Sequence, residues 1–276
     1  MDRLEDLPPL REVIASHGLD ARKRFGQHFL FDLNLTRRIA RSAAPLDRGT
    51  TIEVGPGPGG LTRALLLEGA TRVVAIEIDP RAIAVLEDLR AVAGERLDIV
   101  AADALEIDPA TLGPAPRRIV ANLPYNVSTA LLVNWLHRAD ALEDMVLMFQ
   151  KEVVDRLAAA PRSKDYGRLS VLTQHVCTVQ RLFDIPAAAF VPPPKVVSSV
   201  VRLRPRPAAE RLVELRPLER VTAAAFGQRR KMLRSSLASA FAEPQAVLER
   251  LGLAPTARAE ELAVADFVRL AGALDE

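Results

Sequence analysis

At 276 residues, 49% hydrophobic and 26% charged, the chain has the composition of a globular protein with apolar material for a sizeable core. Cys177 is its only cysteine, which excludes an internal disulfide. The charged first 20 residues do not read as a signal peptide and no apolar run approaches a membrane span, so a soluble cytoplasmic protein is expected.

Strand-like and helix-like segments alternate from residue 50 onward. Short apolar runs at 51–54, 73–78, 97–101, 118–121 and 144–149 read as buried strands. Between them, 60–68, 80–93 and 128–137 read as helices, with Pro80 in a first turn and Ser128 or Thr129 as a cap; another helix starts at Lys151. This order predicts an α/β fold, a Rossmann-like parallel sheet with helices on both faces. Residues 171–183 and 196–203 read as further strands, the second closing the sheet edge. Pro205 and Pro207 mark a linker, and from Leu215 the chain reads as short helices. The expected division is therefore 1–205, the α/β domain, and 206–276, a small all-helical domain.

The net charge of +2 hides an asymmetry. Residues 202–234 hold ten Arg and Lys against three Glu, and the rest of the chain is mildly acidic. The plainer explanation of a charge run is a solvated helix face, but so local an excess suits a polyanion.

Between the first strand and helix lies Glu53-Val54-Gly55-Pro56-Gly57-Pro58-Gly59-Gly60. Glycines there let backbone approach a ligand, and a helix N-terminus favours negative charge. Gly55, Gly57 and Gly60 satisfy dinucleotide spacing, with Glu77 placed 22 residues beyond Gly55 for ribose hydroxyls, so NAD is one candidate. Glu53 just before the glycines and Asp103 at the end of the third strand favour S-adenosylmethionine. Asn122-Leu123-Pro124-Tyr125 then ends the fourth strand. An Asn, a Pro and an aromatic make a polar notch beside a flat ring, suited to gripping the amino group of a planar base.

These runs together resemble the ribosomal RNA adenine N6-dimethyltransferases. The resemblance rests on the glycine loop, residues 74–79 and 102–104, the stretch from Asn122 to Thr129, Arg22 to Leu30, Gln150 to Val153, Tyr166 to Ser170, Phe190 to Ser198 and Phe226 to Leu237. It leans toward the small-subunit enzymes, which dimethylate two adjacent adenines in the 3′-terminal hairpin loop of 16S rRNA, rather than the 23S methylases of antibiotic resistance. His28 stands where Asn is also common in the family, and Val197 where an acidic residue is frequent.

The resemblance implies S-adenosylmethionine as cofactor and no metal. Gln27, His28 and Leu30 would lie against its methionine end, His28 through its backbone. Gly55 and Gly57 would approach it, Glu77 would take its ribose, Asp103 its adenine, and Asn122 would sit where cofactor and target meet. For catalysis, the Asn122 side-chain oxygen and Leu123 carbonyl would hold the target amine, with Tyr125 and Phe190 stacking on the base; for Phe190, core packing is the plainer role. Arg229, Arg230, Lys231 and Arg234 would clamp RNA phosphates. The expected partner is 16S rRNA in the small subunit or its precursor, met by a monomer. A non-catalytic assembly factor and an NAD-dependent oxidoreductase stand as alternatives; the latter leaves the Asn122 notch and the basic segment idle.

Overall fold

The computed structural model describes residues 4–19 and 28–274. In chain order the elements are α1 Leu10–Ser16, β1 Phe29–Leu30, α2 Leu33–Ser42, β2 Thr50–Val54, α3 Gly60–Leu67, β3 Val73–Glu77, α4 Pro80–Ala93, β4 Leu97–Ala101, β5 Arg117–Asn122 and α5 Ser128–Leu136. There follow β6 Asp144–Gln150, α6 Lys151–Leu157, α7 Arg168–Val176, β7 Cys177–Ile185, β8 Phe190–Val191, β9 Ser198–Pro205, α8 Leu215–Gly227, α9 Leu233–Ser236, α10 Pro244–Arg250 and α11 Val264–Gly272. Among them no helix is long and apolar enough to cross a membrane.

Seven strands form one mixed sheet in the order β4-β3-β2-β5-β6-β9-β7, with helices on both sides. The five strands from β4 to β6 are mutually parallel, and β9 runs antiparallel to β6. Every residue of β2 and β3 is buried, as expected of strands covered on both faces. The core packs Leu65 and Leu66 of α3 and Leu86 of α4 against Val73, Val120 and Val146 of the sheet. Local signals hold α4 in place: the Asp79 carboxylate accepts the Arg81 N–H, and Pro80 occupies the first turn, where its missing N–H costs nothing. A separate two-stranded sheet pairs Phe29 with Val191 and Leu30 with Phe190.

The described residues form two compact units, Met1–Lys151 with Gln180–Arg204, and Glu152–Val179 with Pro205–Glu276. The expected boundary at 205 marks only the second of two places where the chain passes from the sheet unit to the helical one. Residues 152–179 join the helices because α7 packs on α8 and α11. The buried Tyr166 ring meets Phe226 edge-on at 6.0 Å, and Phe226 stacks on Phe267 at 5.4 Å.

Three local expectations are corrected. The strand expected over 171–183 is helix α7 followed by strand β7. Its β-branched residues suggest a strand, but Val171, Leu172 and Val176 fall on one buried helical face, and the Ser170 hydroxyl closes the first turn on the Gly167 N–H. The second expected strand, β9, lies inside the sheet, and β7 takes the edge. Neither Ser128 nor Thr129 caps α5. The cap position is Val127, and the Ser128 hydroxyl donates instead to the Tyr125 carbonyl at 3.1 Å.

Candidate active site

The carboxyl ends of β2, β3, β4 and β5 open on a cavity of about 250 Å³. It lies where the strand order turns from β2 to β5, the usual place for a ligand in an open α/β sheet. Gly55, Gly57, Glu77, Asp103, Asn122 and Tyr125, drawn from four strand ends, all line it. His28, Leu30 and Leu123 line it as well, and Gln27 lies outside the described residues.

The loop after β2 is packed closely against neighbouring side chains, which leaves its backbone to line the cavity. Gly57 has φ +54°, a conformation that side chains disfavour, and a Cβ there would come within 3.0 Å of the Phe29 ring. Its N–H donates to Glu77 Oε2 at 3.1 Å, while Glu77 Oε1 accepts from the N–H groups of Ile78 and Asp79 at 2.8 and 2.9 Å. Glu77 thus ties the glycine loop to the end of β3. Burial raises the pKa of this carboxyl, and the three N–H groups work against that rise. Asp103 uses one oxygen to accept the Leu105 N–H at 2.9 Å, which shapes the turn after β4.

Glu53 forms part of the cavity wall and is 1% exposed. Burial pushes its carboxyl to about 8; the neighbouring Thr62 hydroxyl lowers it and the Glu77 carboxylate raises it further. Its Oε2 has no hydrogen-bond partner. The Thr62 hydroxyl beside it is likewise buried without a hydrogen-bond partner, so the two form a dry polar pair behind the cavity wall. Ile78, 57% exposed, and Leu105, 39% exposed, also line this cavity. Two exposed apolar side chains, each one or two residues past a carboxylate of the site, suit the faces of a planar heterocycle. Sequence reasoning marks Glu53 only as a signpost and misses Ile78 and Leu105, since isolated apolar residues in turns give no periodic signal. The glycine-loop backbone, the carboxylates Glu77 and Asp103 and the apolar pair, all lining one cavity, fit an adenosyl cofactor.

At the notch, the Asn122 Nδ2 donates to the His28 carbonyl at 3.1 Å, which leaves the side-chain oxygen outside that bond. Pro124 packs against Gly55, 3.5 Å from where a Cβ would stand. The half-buried Tyr125 shares a 2.6 Å hydrogen bond between its hydroxyl and Ser198 Oγ, and burial raises its pKa. The base of the notch is therefore rigid, built on the end of β5 and the start of β9. Phe190 does not offer the open ring face expected of it. It is 1% exposed and belongs to the apolar core, because its strand pairs with β1 and turns the ring inward.

In the helical unit the four expected phosphate ligands part company. Arg229 is committed internally: its Nε donates to Glu260 at 2.8 Å and its guanidinium to the Lys164 carbonyl at 2.8 Å. Arg230, Lys231 and Arg234 are exposed and have no ion-pair partner among the described residues. The turn that carries them is pinned by Leu233 N–H to the Ala257 carbonyl and Arg234 N–H to the Pro255 carbonyl, with Met232 bridged to Arg258. That bridge adds the exposed Arg258 to the cluster, a neighbour that its distance in sequence conceals.

Comparison with known proteins accords with this geometry. The chain is 64% identical over 274 residues to the ribosomal RNA small subunit methyltransferase A of Paramagnetospirillum magneticum, covering 99% of this chain and 96% of that protein. The protein of the same name from Rhodospirillum rubrum is 62% identical, covering 98% and 94%. Among solved structures, a dimethyladenosine transferase from Plasmodium falciparum superposes with a TM-score of 0.76 at 26% identity, over 88% of this chain and 96% of that one. The 23S rRNA methyltransferase ErmE does so with a TM-score of 0.64 at 29% identity, over 90% and 100%. Residues 18–276 match the ribosomal RNA adenine dimethylase family over nearly the whole chain, and to that family of methyltransferases the protein belongs.

Proposed function

We propose that the protein uses S-adenosylmethionine to dimethylate N6 of two adjacent adenines in the 3′-terminal hairpin loop of 16S rRNA, in the small subunit or its precursor in the cytoplasm. The observation that carries the reading is the Asn122 notch opening directly on the glycine-loop cavity. The two relatives above 60% identity, both named for the small subunit, support the choice of rRNA.

In this reading Gly55, Gly57, Glu77 and Asp103 hold the cofactor, with Ile78 and Leu105 on the faces of its adenine and the segment from Gln27 to Leu30 along its methionine end. When bound, S-adenosylmethionine supplies an electrophilic methyl on a cationic sulfur. The remaining work belongs to the protein. The target amine has its lone pair delocalised into the ring. Hydrogen bonds from its N–H groups to the Asn122 side-chain oxygen and the Leu123 carbonyl draw the nitrogen toward tetrahedral geometry and aim the lone pair at the methyl. Charge disperses as the new bond forms, so positioning and electrostatics suffice without a strong base. The proton leaves the alkylated amine afterwards, when the nitrogen is far more acidic. Unstacking the base costs a few kcal/mol, and stacking on Tyr125 returns roughly 1–3 kcal/mol.

Mass mapping of methylated adenines after incubation with undermethylated small subunits tests the reading. Adjacent N6-dimethyladenosines in the terminal hairpin are the expected product, and their absence, or modification of 23S rRNA instead, would overturn it. Replacing Arg230, Lys231, Arg234 and Arg258 together by Gln is expected to weaken RNA binding and flatten its salt dependence, by a slope of roughly 0.7 for each phosphate no longer neutralised. Titrations at several salt concentrations measure this. An unchanged slope would remove the cluster from the RNA interface, whereas Arg229→Gln acts first on the stability of the helical unit through Glu260.

A further inference from the structure

The turn after β4 carries Asp103 and Leu105 to the cavity. Its first residue is tied to β3, where the Ala102 N–H donates to the Glu77 carbonyl at 3.1 Å. Inside the turn, the Asp103 carboxylate accepts the Leu105 N–H at 2.9 Å and the Asp103 carbonyl accepts the Glu106 N–H at 3.0 Å. Both Asp103 and Leu105 are exposed, so burial does little to hold them in place. Helix α5 supplies the hold from outside. Asn134 Nδ2 donates to the Leu105 carbonyl at 3.1 Å, and because a carbonyl only accepts, the orientation of the amide is fixed. Just past the end of α5, the Arg138 guanidinium donates to the Asp108 carboxylate, whose other oxygen accepts the Ala110 N–H at 2.9 Å. Four positions apart, Asn134 and Arg138 share a face and clasp the turn at Leu105 and at Asp108. The same helix reaches the cavity with its buried Leu131, and its first residue, Ser128, holds the Tyr125 carbonyl at 3.1 Å. One helix is thus anchored to the notch at one end and to the turn at the other.

We propose that Asn134 is a positioning residue for the cofactor: through the Leu105 carbonyl it fixes the turn in which Asp103 meets the adenine amino group and Leu105 covers an adenine face. The inference rests on the S-adenosylmethionine reading above. Asn134 itself is outside the cavity lining, so it acts through the turn and not on the ligand. Its bond sets the turn before the ligand arrives. Without it the turn samples other arrangements, and binding must bear the cost of ordering it. Selectivity depends on the same bond. A fixed Asp103 accepts from an adenine amino group and opposes a purine that carries a carbonyl there, whose oxygen would face the carboxylate. A loosened turn loses that distinction together with affinity. Arg138 is the weaker strap, because it grips the turn three residues beyond Leu105 through an ion pair that is largely exposed.

Calorimetry with S-adenosylhomocysteine and with S-inosylhomocysteine, in which a carbonyl replaces the adenine amino group, tests this without turnover. Wild type is expected to prefer the adenosyl ligand. Asn134→Ala should weaken the adenosyl ligand roughly 3- to 10-fold and the inosyl ligand by less than about twofold, so that the ratio of the two dissociation constants shrinks. Asn134→Asp, equal in size but unable to donate, should lose at least as much, and Asn134→Gln, which keeps the donor on a longer arm, should recover part of the ratio. In steady-state methylation by Asn134→Ala, the KM for S-adenosylmethionine should rise by the same factor, with kcat and the KM for subunits nearly unchanged. Equal losses for both ligands, or a lowered Tm with an unchanged ratio, would make Asn134 a purely structural contact and overturn the proposal. So would an unchanged affinity for the adenosyl ligand, or a wild type that binds the two ligands equally. A wild type that binds neither would instead refute the cofactor reading of the cavity, and the role of Asn134 with it.

Discussion

Asn122→Ala is expected to slow methyl transfer by about 10²–10³-fold, the usual cost of removing one preorganised polar contact at a reacting centre. The Asn122 side chain has two tasks: its nitrogen anchors the His28 carbonyl at 3.1 Å, and its oxygen is left to orient the target amine. Single-turnover transfer of a labelled methyl group to undermethylated subunits isolates the second task, and calorimetry with S-adenosylmethionine isolates the first. A loss of cofactor affinity as large as the loss of rate would make Asn122 an anchor of the segment before β1 rather than the grip on the base. Tyr125 gives the companion experiment. Tyr125→Ala should lose most activity through the missing stack, roughly 1–3 kcal/mol, while cofactor affinity holds. Tyr125→Phe keeps the ring and removes only the 2.6 Å bond to Ser198, so it should retain most of the rate. Equal losses in both would place the catalytic weight on the hydroxyl instead.

The second large effect concerns stability. Glu53 has a pKa of about 8 in the folded protein because burial disfavours its charged form, against about 4.5 when unfolded. The folded state therefore keeps a proton that the unfolded chain gives up. The resulting stabilisation is complete below pH 4.5 and is lost as pH rises through 8. Its full size corresponds to roughly 3–5 kcal/mol. Glu53→Gln removes this linkage, so the ligand-free variant should gain on wild type as pH rises, by roughly 5–10 °C in Tm at about pH 8.5 relative to about pH 5. Glu77 titrates with the same sign, for the same reason, and leaves a smaller residual slope in both proteins. Thermal unfolding across this pH range measures the difference, and a pH-independent gap between variant and wild type would mean that Glu53 is ionised in the fold.

Much of the first unit is legible in the sequence because its signals are local. A short apolar run between turns marks a strand whatever it pairs with, so even the partly exposed edge strand Leu97–Ala101 can be read to the residue, and Pro80–Ala93 carries its own cap and first-turn proline. The chemistry is legible for a related reason. Glu53, Gly55, Gly57, Glu77, Asp103 and Asn122 each end a strand or begin the turn after it, and a parallel sheet brings such ends to one edge. The segment from 168 to 185 is not legible, since Val and Thr fit a strand locally and only packing of α7 on α8 and α11 favours a helix.

Residue type and spacing along single elements are thus enough for the alternating α/β order, the carboxylates and glycines that line the cavity, and the notch from Asn122 to Tyr125. Which ring stands beside Tyr125 is a matter of folding. Phe190 and His28 are 162 positions apart, and the pairing of β1 with β8 buries one while leaving the other next to the tyrosine. Folding likewise assigns residues 152–179 to the helical unit, places Arg258 beside Met232, and turns Arg229 toward Glu260. Each of these depends on long-range contacts whose energy comes from burial and pairing across the chain, and no local pattern of residues encodes it.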